Sequence, residues 1–321
     1  MLPIFLADAK AFVLSQCILA AIELDIFVYI DEHNPSRSEL IKACNLASSP
    51  VTDIFLDLLI ANGYLTINEE DQLFVTHLGA SFLDVQDSVS SWAEEMQLFY
   101  RSLGELPYIL HTGSVSQTEL SKFWSYKTPN SVDFNSYSDL MDASQGQLSE
   151  AILKNLDLED VESLLDVGGG YGRLGTAIQD KYKDINVLIA DLPEVCDEGR
   201  NRCDCTYVPI DWFKEEFPAL GVDALLFVRV LHDWKNEVVK YLLSNAKQSL
   251  KPGGKIIIIE PMFDDEEPTN LNPSAMMLAL FGGRRRSFQE HIRILEEVGF
   301  TPKIHLPIGL SNYRMIVARL K

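Results

Sequence analysis

The chain has 321 residues, 47% hydrophobic and 23% charged, and a formal net charge of −20. That length exceeds one typical core, so two domains are expected, and the acidity argues against binding to nucleic-acid phosphates or anionic membranes. Five cysteines make an odd count for a secreted disulfide framework, and no second pair joins Cys203 and Cys205 in a zinc set, so reduced thiols in a cytoplasmic protein are expected.

Residues 12–30 are apolar enough to suggest a membrane span, but Glu23 and Asp25 fall inside the stretch. A carboxylate near a bilayer centre costs about 2.5–3.5 kcal/mol. A buried or subunit-interface helix is expected instead, with no secretory signal. Ser36-Arg37-Ser38-Glu39 carries a capping-box start to the next helix, with Leu40, Ile41 and Ala43. A third helix follows Pro50, with Ile54, Leu56, Leu58, Leu59 and Ile60 as its apolar face, and Asn62-Gly63 stops it. Two short strands, Tyr64–Ile67 and Leu73–Val75, flank an acidic turn, and Thr76 and Gly79 open a further helical piece.

Helix, turn, helix and a two-stranded wing make a winged helix. Its third helix carries Asp53 and Asp57 and no Lys or Arg, so phosphates would repel it. A structural or dimerising role fits better than DNA reading. Residues 91–111 continue as helix, rich in Trp92, Leu98, Phe99, Tyr100 and Leu103, and Lys127–Ser136 is the expected linker or mobile loop.

The second half alternates strands and helices. Leu164-Leu165-Asp166-Val167 runs into Gly168-Gly169-Gly170-Tyr171-Gly172, and an amphipathic segment with Leu174, Ala177 and Ile178 begins at once. A buried parallel strand turning sharply into a helix brings backbone close to a ligand. Arg173 occupies the place where the dinucleotide fingerprint needs its last glycine. The spacing is instead G-x-G-x-G, similar to the cofactor turn of S-adenosylmethionine-dependent methyltransferases. Val187–Asp191 is a second apolar run closing on a carboxylate, placed for ribose hydroxyls. After the strand Thr206–Pro209, Asp211 could take the adenine amino group and Trp212 offers a flat face to the ring. The strand Asp223–Val230 leads to His232-Asp233-Trp234, the helix Asn236–Leu250 follows, and Lys251-Pro252-Gly253-Gly254 turns into the strand Lys255–Ile259, ending at Glu260. His232 and Glu260 thus stand at the ends of strands expected to be neighbours. An imidazole there can take a phenolic or enolic proton, with the carboxylate fixing its tautomer. The other histidines (His33, His77, His111, His291, His305) have no comparable setting and read as surface or packing residues.

Together these stretches resemble the small-molecule O-methyltransferases of the caffeate, hydroxyindole and bacterial natural-product type, over nearly the whole chain. The resemblance implies an α/β fold: a Rossmann-like class I methyltransferase sheet preceded by a mainly helical winged-helix dimerisation domain. The expected division is 1–110 for dimerisation, 111–149 for a helical linker and substrate-pocket segment, and 150–321 for the S-adenosylmethionine domain. It implies His232 as general base with Glu260 beside it and Asp233 as a substrate or helix-start contact. Cofactor residues fall on Asp166, Gly168, Gly170, Asp191, Leu192, Asp211, Trp212 and Arg229, and acceptor residues on Phe134, Met141 and Met277. A homodimer is implied, whose N-terminal helices help close the partner's pocket.

Two departures stand out. Where such enzymes often have Gly-Gly-[Lys/Arg]-Glu-Arg-[Ser/Thr], this chain has Gly282-Gly283-Arg284-Arg285-Arg286-Ser287. Arg285, standing for a glutamate that supports the histidine, could weaken His232 as a base, neutralise an acidic substrate, or face solvent. Leu280 and Phe281 replace polar residues of plant relatives and imply a more apolar acceptor pocket. No carboxylate cluster has metal-ligand spacing, so no magnesium requirement is expected. The sequence thus points to metal-independent methylation of a hydroxyl on a small aromatic or polyketide-like metabolite. Alternatives are N-, C- or S-methylation, a hydroxylase, decarboxylase or rearrangement enzyme that keeps the cofactor, or a winged-helix transcriptional regulator.

Overall fold

The computed structural model describes residues 2–83, 93, 96, 97, 100, 101, 103, 104, 106–112, 141, 142, 145–263, 283–310 and 313–321. The chain forms two compact units, Met1–Gln97 and Leu98–Lys321.

In the first unit, α1 (Leu2–Glu23) and α2 (Ile26–His33) are followed by α3 (Arg37–Ala43), α4 (Pro50–Ala61) and the antiparallel pair β1 (Leu65–Ile67) and β2 (Leu73–Val75). This is the winged-helix order. Ser36 and Glu39 form the capping box expected for α3, and Gly63 follows α4 at φ 78°. The apolar run 12–30 is not one helix, however. Asp25 sits in the left-handed region at φ 53°, and the chain bends by 62° between α1 and α2. The bend lets Leu19 and Ile22 of α1 and Ile26, Phe27 and Ile30 of α2 enter one core, while Glu23 and Asp25 stay exposed. No single described helix is long and apolar enough to cross a membrane; only the bent pair taken together reaches that length and composition.

The second unit is built on a seven-stranded sheet in the order β5-β4-β3-β6-β7-β9-β8. Its strands are β3 (Ser163–Val167), β4 (Asn186–Asp191), β5 (Thr206–Pro209), β6 (Val222–Val228), β7 (Leu250–Pro261), β8 (Phe300–Pro307) and β9 (Tyr313–Leu320). The first five in spatial order are parallel, and β9 and β8 add an antiparallel edge. Every residue of β6 is buried, as expected of a central strand covered on both faces. Two apolar clusters fill those faces.

Boundaries differ from expectation in two places that bear on the site. The helix after His232 ends at Ala246, and β7 begins at Leu250. Lys251-Pro252-Gly253-Gly254 is therefore an irregularity within β7: Leu250 pairs with Val222 and Lys255 with Ala224. At the other end, β6 stops at Val228 because Arg229 takes φ 58°, a conformation that a side chain with Cβ rarely adopts and that breaks the ladder.

Candidate active site

The chain leaves β3 for β4 on one side of the sheet and later returns to β6 on the other. Open parallel sheets hold ligands in the crevice at such a reversal, beyond the carboxyl ends of the strands, and a cleft lies there. Its floor is the glycine turn. Gly168 has φ 74°, and a Cβ on it would stand 2.6 Å from Val230 Cγ2. Gly170 has φ 57° with nothing within 4 Å of a Cβ, so its backbone faces open space. Its N–H donates to Asp191 Oδ2 at 2.8 Å, and the Leu192 N–H donates to Asp191 Oδ1 at 2.8 Å.

Asp166, Asp191, Leu192, Trp212 and Arg229 all line this cleft with Gly168 and Gly170. Burial pushes the Asp191 carboxyl up to about 6 against the pull of its two backbone bonds. Burial and the neighbouring Asp191 charge push Asp166 up to about 7. Trp212 stacks on Phe217 with ring centres 6.5 Å apart, and its buried indole N–H has no acceptor among the described residues. A backbone cradle that side chains would fill, two desolvated carboxylates and an orphaned ring donor fit a nucleoside bearing hydroxyls and positive charge.

His232 follows β6 in a short turn, Leu231–Asp233. Its Nδ1 lies 2.5 Å from Glu260 Oε2, and Glu260 Oε1 accepts the N–H groups of Val230 at 2.9 Å and Leu231 at 2.7 Å. Glu260 is wholly buried. One carboxylate therefore holds both the turn and the ring it carries. On the other side, His232 Nε2 is 3.4 Å from Asp233 Oδ1. Val230, Asp233 and Trp234 line the cleft; His232 does not, but its Nε2 lies within 3.4 Å of the lining residue Asp233. Burial pulls the His232 pKa down, but the charges of Glu260 and Asp233 outweigh it and the net direction is up.

Residues 99–301 match the O-methyltransferase domain, and residues 7–83 match the O-methyltransferase dimerisation domain. The chain belongs to the O-methyltransferase family. It is 30% identical to demethylspheroidene O-methyltransferase of Cereibacter sphaeroides, over 94% of this chain and 82% of that protein. Identity to the mitomycin biosynthesis 6-O-methyltransferase of Streptomyces lavendulae is 25%, over 95% of this chain and 90% of the other. The crystal structure of human N-acetylserotonin methyltransferase with S-adenosylmethionine superposes with a TM-score of 0.82 at 22% identity, covering 99% of this chain and 97% of that one. The methyltransferase uses S-adenosylmethionine and acts on small molecules.

The methyltransferase places its expected residues unevenly. Asp211 does not line the cleft. Its Oδ2 meets Lys214 Nζ at 2.6 Å and its Oδ1 accepts the Phe213 N–H at 3.1 Å, so this carboxylate is engaged with its own turn. Met141 does line the cleft, with its sulfur 3.1 Å from Arg229 Nη2. Phe134, Met277 and Phe281 lie outside the described residues, as does the 113–140 stretch that includes the expected loop. Arg285 does not face solvent; it is buried. The cation that depresses the His232 pKa is Arg229, not Arg285.

Several residues that sequence reasoning missed line the cleft or pack beside the His232–Glu260 pair. Arg173, at the first turn of the helix after Gly172, lines the cleft and donates from Nη1 to Asp142 O at 2.6 Å. The signal was its place beside the glycine turn. Arg286 is 1% exposed; its Nη1 donates to Leu231 O at 2.7 Å, its Nε to Asn236 Oδ1 at 2.8 Å, and its Nη2 to Trp234 O. It clamps the turn carrying His232 from the outside. His291 is buried near Glu260, and burial, opposed by the Glu260 charge, drops its pKa to about 4. Its spacing from Ile294 and Leu295 on one helix face was the available signal.

Proposed function

We propose that the protein methylates a hydroxyl group of a small aromatic or polyketide-like metabolite without a metal ion, with His232 as general base. The observation that carries this reading is the His232–Glu260 contact of 2.5 Å at the cleft's edge. Glu260 accepts from Nδ1–H, which leaves Nε2 bare and basic toward the side where Asp233 and the cleft lie. S-adenosylmethionine supplies an electrophilic methyl group. Asp191, Leu192, Asp166 and the Gly168–Gly170 backbone would hold and orient it, and Trp212 would give its ring a flat wall.

The protein's remaining task is to remove the acceptor's proton as its oxygen becomes a nucleophile. Nε2 takes that proton, and the buried Glu260 carboxylate stabilises the imidazolium that results. Rigidity of the turn matters because attack requires an in-line approach within a narrow range of distance. Glu260, through Val230 and Leu231, and Arg286, through Leu231 and Trp234, supply that rigidity.

The names of the relatives, O-methyltransferases of demethylspheroidene and of mitomycin biosynthesis, support an oxygen acceptor. We also assign the 7–83 unit to homodimer formation, for which Phe12 (50% exposed) and Val13 of α1 offer an apolar face.

Incubation with S-adenosylmethionine and a panel of phenols, with and without chelator, tests the proposal. Methyl transfer that survives chelator and drops by about 10²–10⁴-fold in His232→Ala supports it. Transfer abolished by chelator, or a mild effect of His232→Ala, refutes the metal-free base mechanism.

A further inference from the structure

Two cysteines just ahead of β5 pack against the last glycine of the cofactor turn. Cys203 ends the helix Pro193–Arg202 in an extended conformation, at φ −145° and ψ 155°, and only Asp204 separates it from Cys205. Alternate residues of an extended run share a face. Here that face meets Gly172, whose φ is 84°. A Cβ on Gly172 would stand 2.8 Å from Cys203 Sγ and 3.4 Å from Cys205 Sγ. The two sulfurs therefore converge on space that a glycine leaves open. Both residues are partly exposed, so a small reagent can reach them.

Their hydrogen bonds run to the turn and to the helix it opens. Cys203 Sγ donates to Tyr171 O at 3.2 Å. The Tyr207 hydroxyl donates to the same carbonyl at 2.8 Å and lies 2.9 Å from Cys203 Sγ. Cys205 Sγ is 3.4 Å from Thr176 Oγ1 and 3.6 Å from Gln179 Oε1, both on the helix Arg173–Lys181. Tyr171 lines the cofactor cleft, whereas neither cysteine does. The reduced thiols thus help to fix the cofactor turn from outside the cleft.

The two thiols differ. Burial pushes Cys203 up, but hydrogen bonds from Tyr207, Thr176 and Cys205 outweigh it and the net direction is down. Burial, and after it the neighbouring Cys203, push Cys205 up against a hydrogen bond from Thr176. Cys203 is accordingly the better source of thiolate, the form that attacks disulfides.

We propose that Cys203 and Cys205 form a redox modification site, closed to an intramolecular disulfide by a low-molecular-weight disulfide, and that closure loosens the cofactor turn. The proposal rests on the assignment of that turn to S-adenosylmethionine. Cys203 thiolate attacks one sulfur of the reagent, forming a mixed disulfide and expelling one thiolate. Cys205 then attacks the Cys203 sulfur and expels the second. Two electrons pass to the reagent, and its two thiolates take the two protons that the cysteines lose. Cys203 then has no hydrogen to donate to Tyr171 O. Exposed disulfides are the labile ones, so excess thiol reverses the change.

Oxidised glutathione is the probe, applied to the full-length protein before free thiols are blocked with iodoacetamide. Both cysteines fall in one tryptic peptide, Cys203–Lys214, which should be recovered unalkylated and two hydrogens lighter than its dithiol form. Calorimetry should show S-adenosylhomocysteine binding at least about threefold more weakly after oxidation, the loss expected from one hydrogen bond, and dithiothreitol should restore it. Cys205→Ser should stop at a glutathione adduct on Cys203. In the double variant Cys203→Ser/Cys205→Ser, affinity before and after treatment should agree within about threefold. A peptide alkylated at both cysteines, an adduct that goes no further in the unmodified protein, or a smaller change in affinity overturns the proposal. So does the same weakening in the double variant, which would place the effect at another cysteine. Reduced protein that binds no S-adenosylhomocysteine strikes the assignment of the turn and the proposal with it; binding that ignores oxidation strikes the proposal alone.

Discussion

Replacing Glu260 with glutamine separates its structural work from its chemical work. The side chain is wholly buried, with Oε1 holding the N–H groups of Val230 and Leu231 and Oε2 facing His232 Nδ1. A glutamine carbonyl oxygen can keep the two backbone bonds, so the turn should stay in place. Its amide nitrogen, however, is a donor. It drives the imidazole to the tautomer with a bare Nδ1 and a proton on Nε2, and the nitrogen that must accept a proton then already carries one. General-base assistance is worth about 10²–10⁴ in rate, and a comparable tautomer error in a serine-protease triad costs about 10⁴. Glu260→Gln should therefore lower kcat by about 10²–10⁴-fold while KM for S-adenosylmethionine stays within about twofold. Glu260→Ala should instead unfold more readily, because two buried N–H groups lose their acceptor at about 1–3 kcal/mol each. The assays are S-adenosylhomocysteine release with any acceptor the unmodified protein turns over, and urea unfolding. A glutamine variant that keeps more than about a tenth of kcat refutes the tautomer argument.

The remaining expectations concern pH and the arginine clamp. His232 must be neutral to act, and Glu260 and Asp233 outweigh burial to raise its pKa above 6.5, so kcat should climb with pH through a midpoint above that value; a lower midpoint contradicts the arrangement. The same raised value means that the His232–Glu260 contribution to stability is full below 6.5 and fades as pH rises through the folded pKa. Asp166 and Asp191 are raised from 3.8 to about 7 and about 6, chiefly by burial. Their contribution to the cofactor-free fold is full below 3.8 and lost as pH rises through those values, so melting temperature measured without cofactor should carry a falling component across that window. Cofactor affinity should change in the opposite sense, weakening in calorimetry as pH falls through about 6 and Asp191 gains a proton. Arg286→Ala removes charged donors from Leu231 O and Trp234 O, at about 1.5–3 kcal/mol each. Urea unfolding should register a loss of about 3–6 kcal/mol, and an effect under about 1 kcal/mol would show the clamp to be dispensable.

Much of the catalytic unit was legible because parallel strands buried on both faces leave continuous apolar runs closed by Gly or Asp. Thr206–Pro209 and Pro50–Ala61 fall where the sequence put them. The pairing of His232 with Glu260 was legible for a topological reason: two successive parallel strands joined by one helix are usually neighbours. The bend at Asp25 was not, since a single left-handed residue leaves no trace in a hydrophobic pattern that continues on both sides of it. Asp211 has the place in the chain that strand-end reasoning gave it, and its carboxylate meets Lys214 three residues on, a local contact that leaves no trace in the strand pattern. The arginine run was opaque because three identical residues carry no pattern: which of them turn inward depends on the backbone beside β7 and on close packing at Gly283.

The distribution of charge along the strand tips ties these elements together. Carboxylates gather at the ends of β3 and β4, where Asp166 and Asp191 face the cofactor cleft. Beyond β7, Arg286 holds the turn that carries the His232–Glu260 pair. On the proposed reading, a sulfonium is held beside the carboxylates and an ionising hydroxyl is brought to the imidazole. Methyl transfer then cancels one charge against the other. A low-dielectric site favours a step in which charge disappears and strengthens every fixed charge that holds the reactants before it does. Burial of Glu260, Arg285 and Arg286 follows the same logic. Each costs solvation, and each is anchored on backbone or imidazole so that little needs to reorganise as the proton moves to His232.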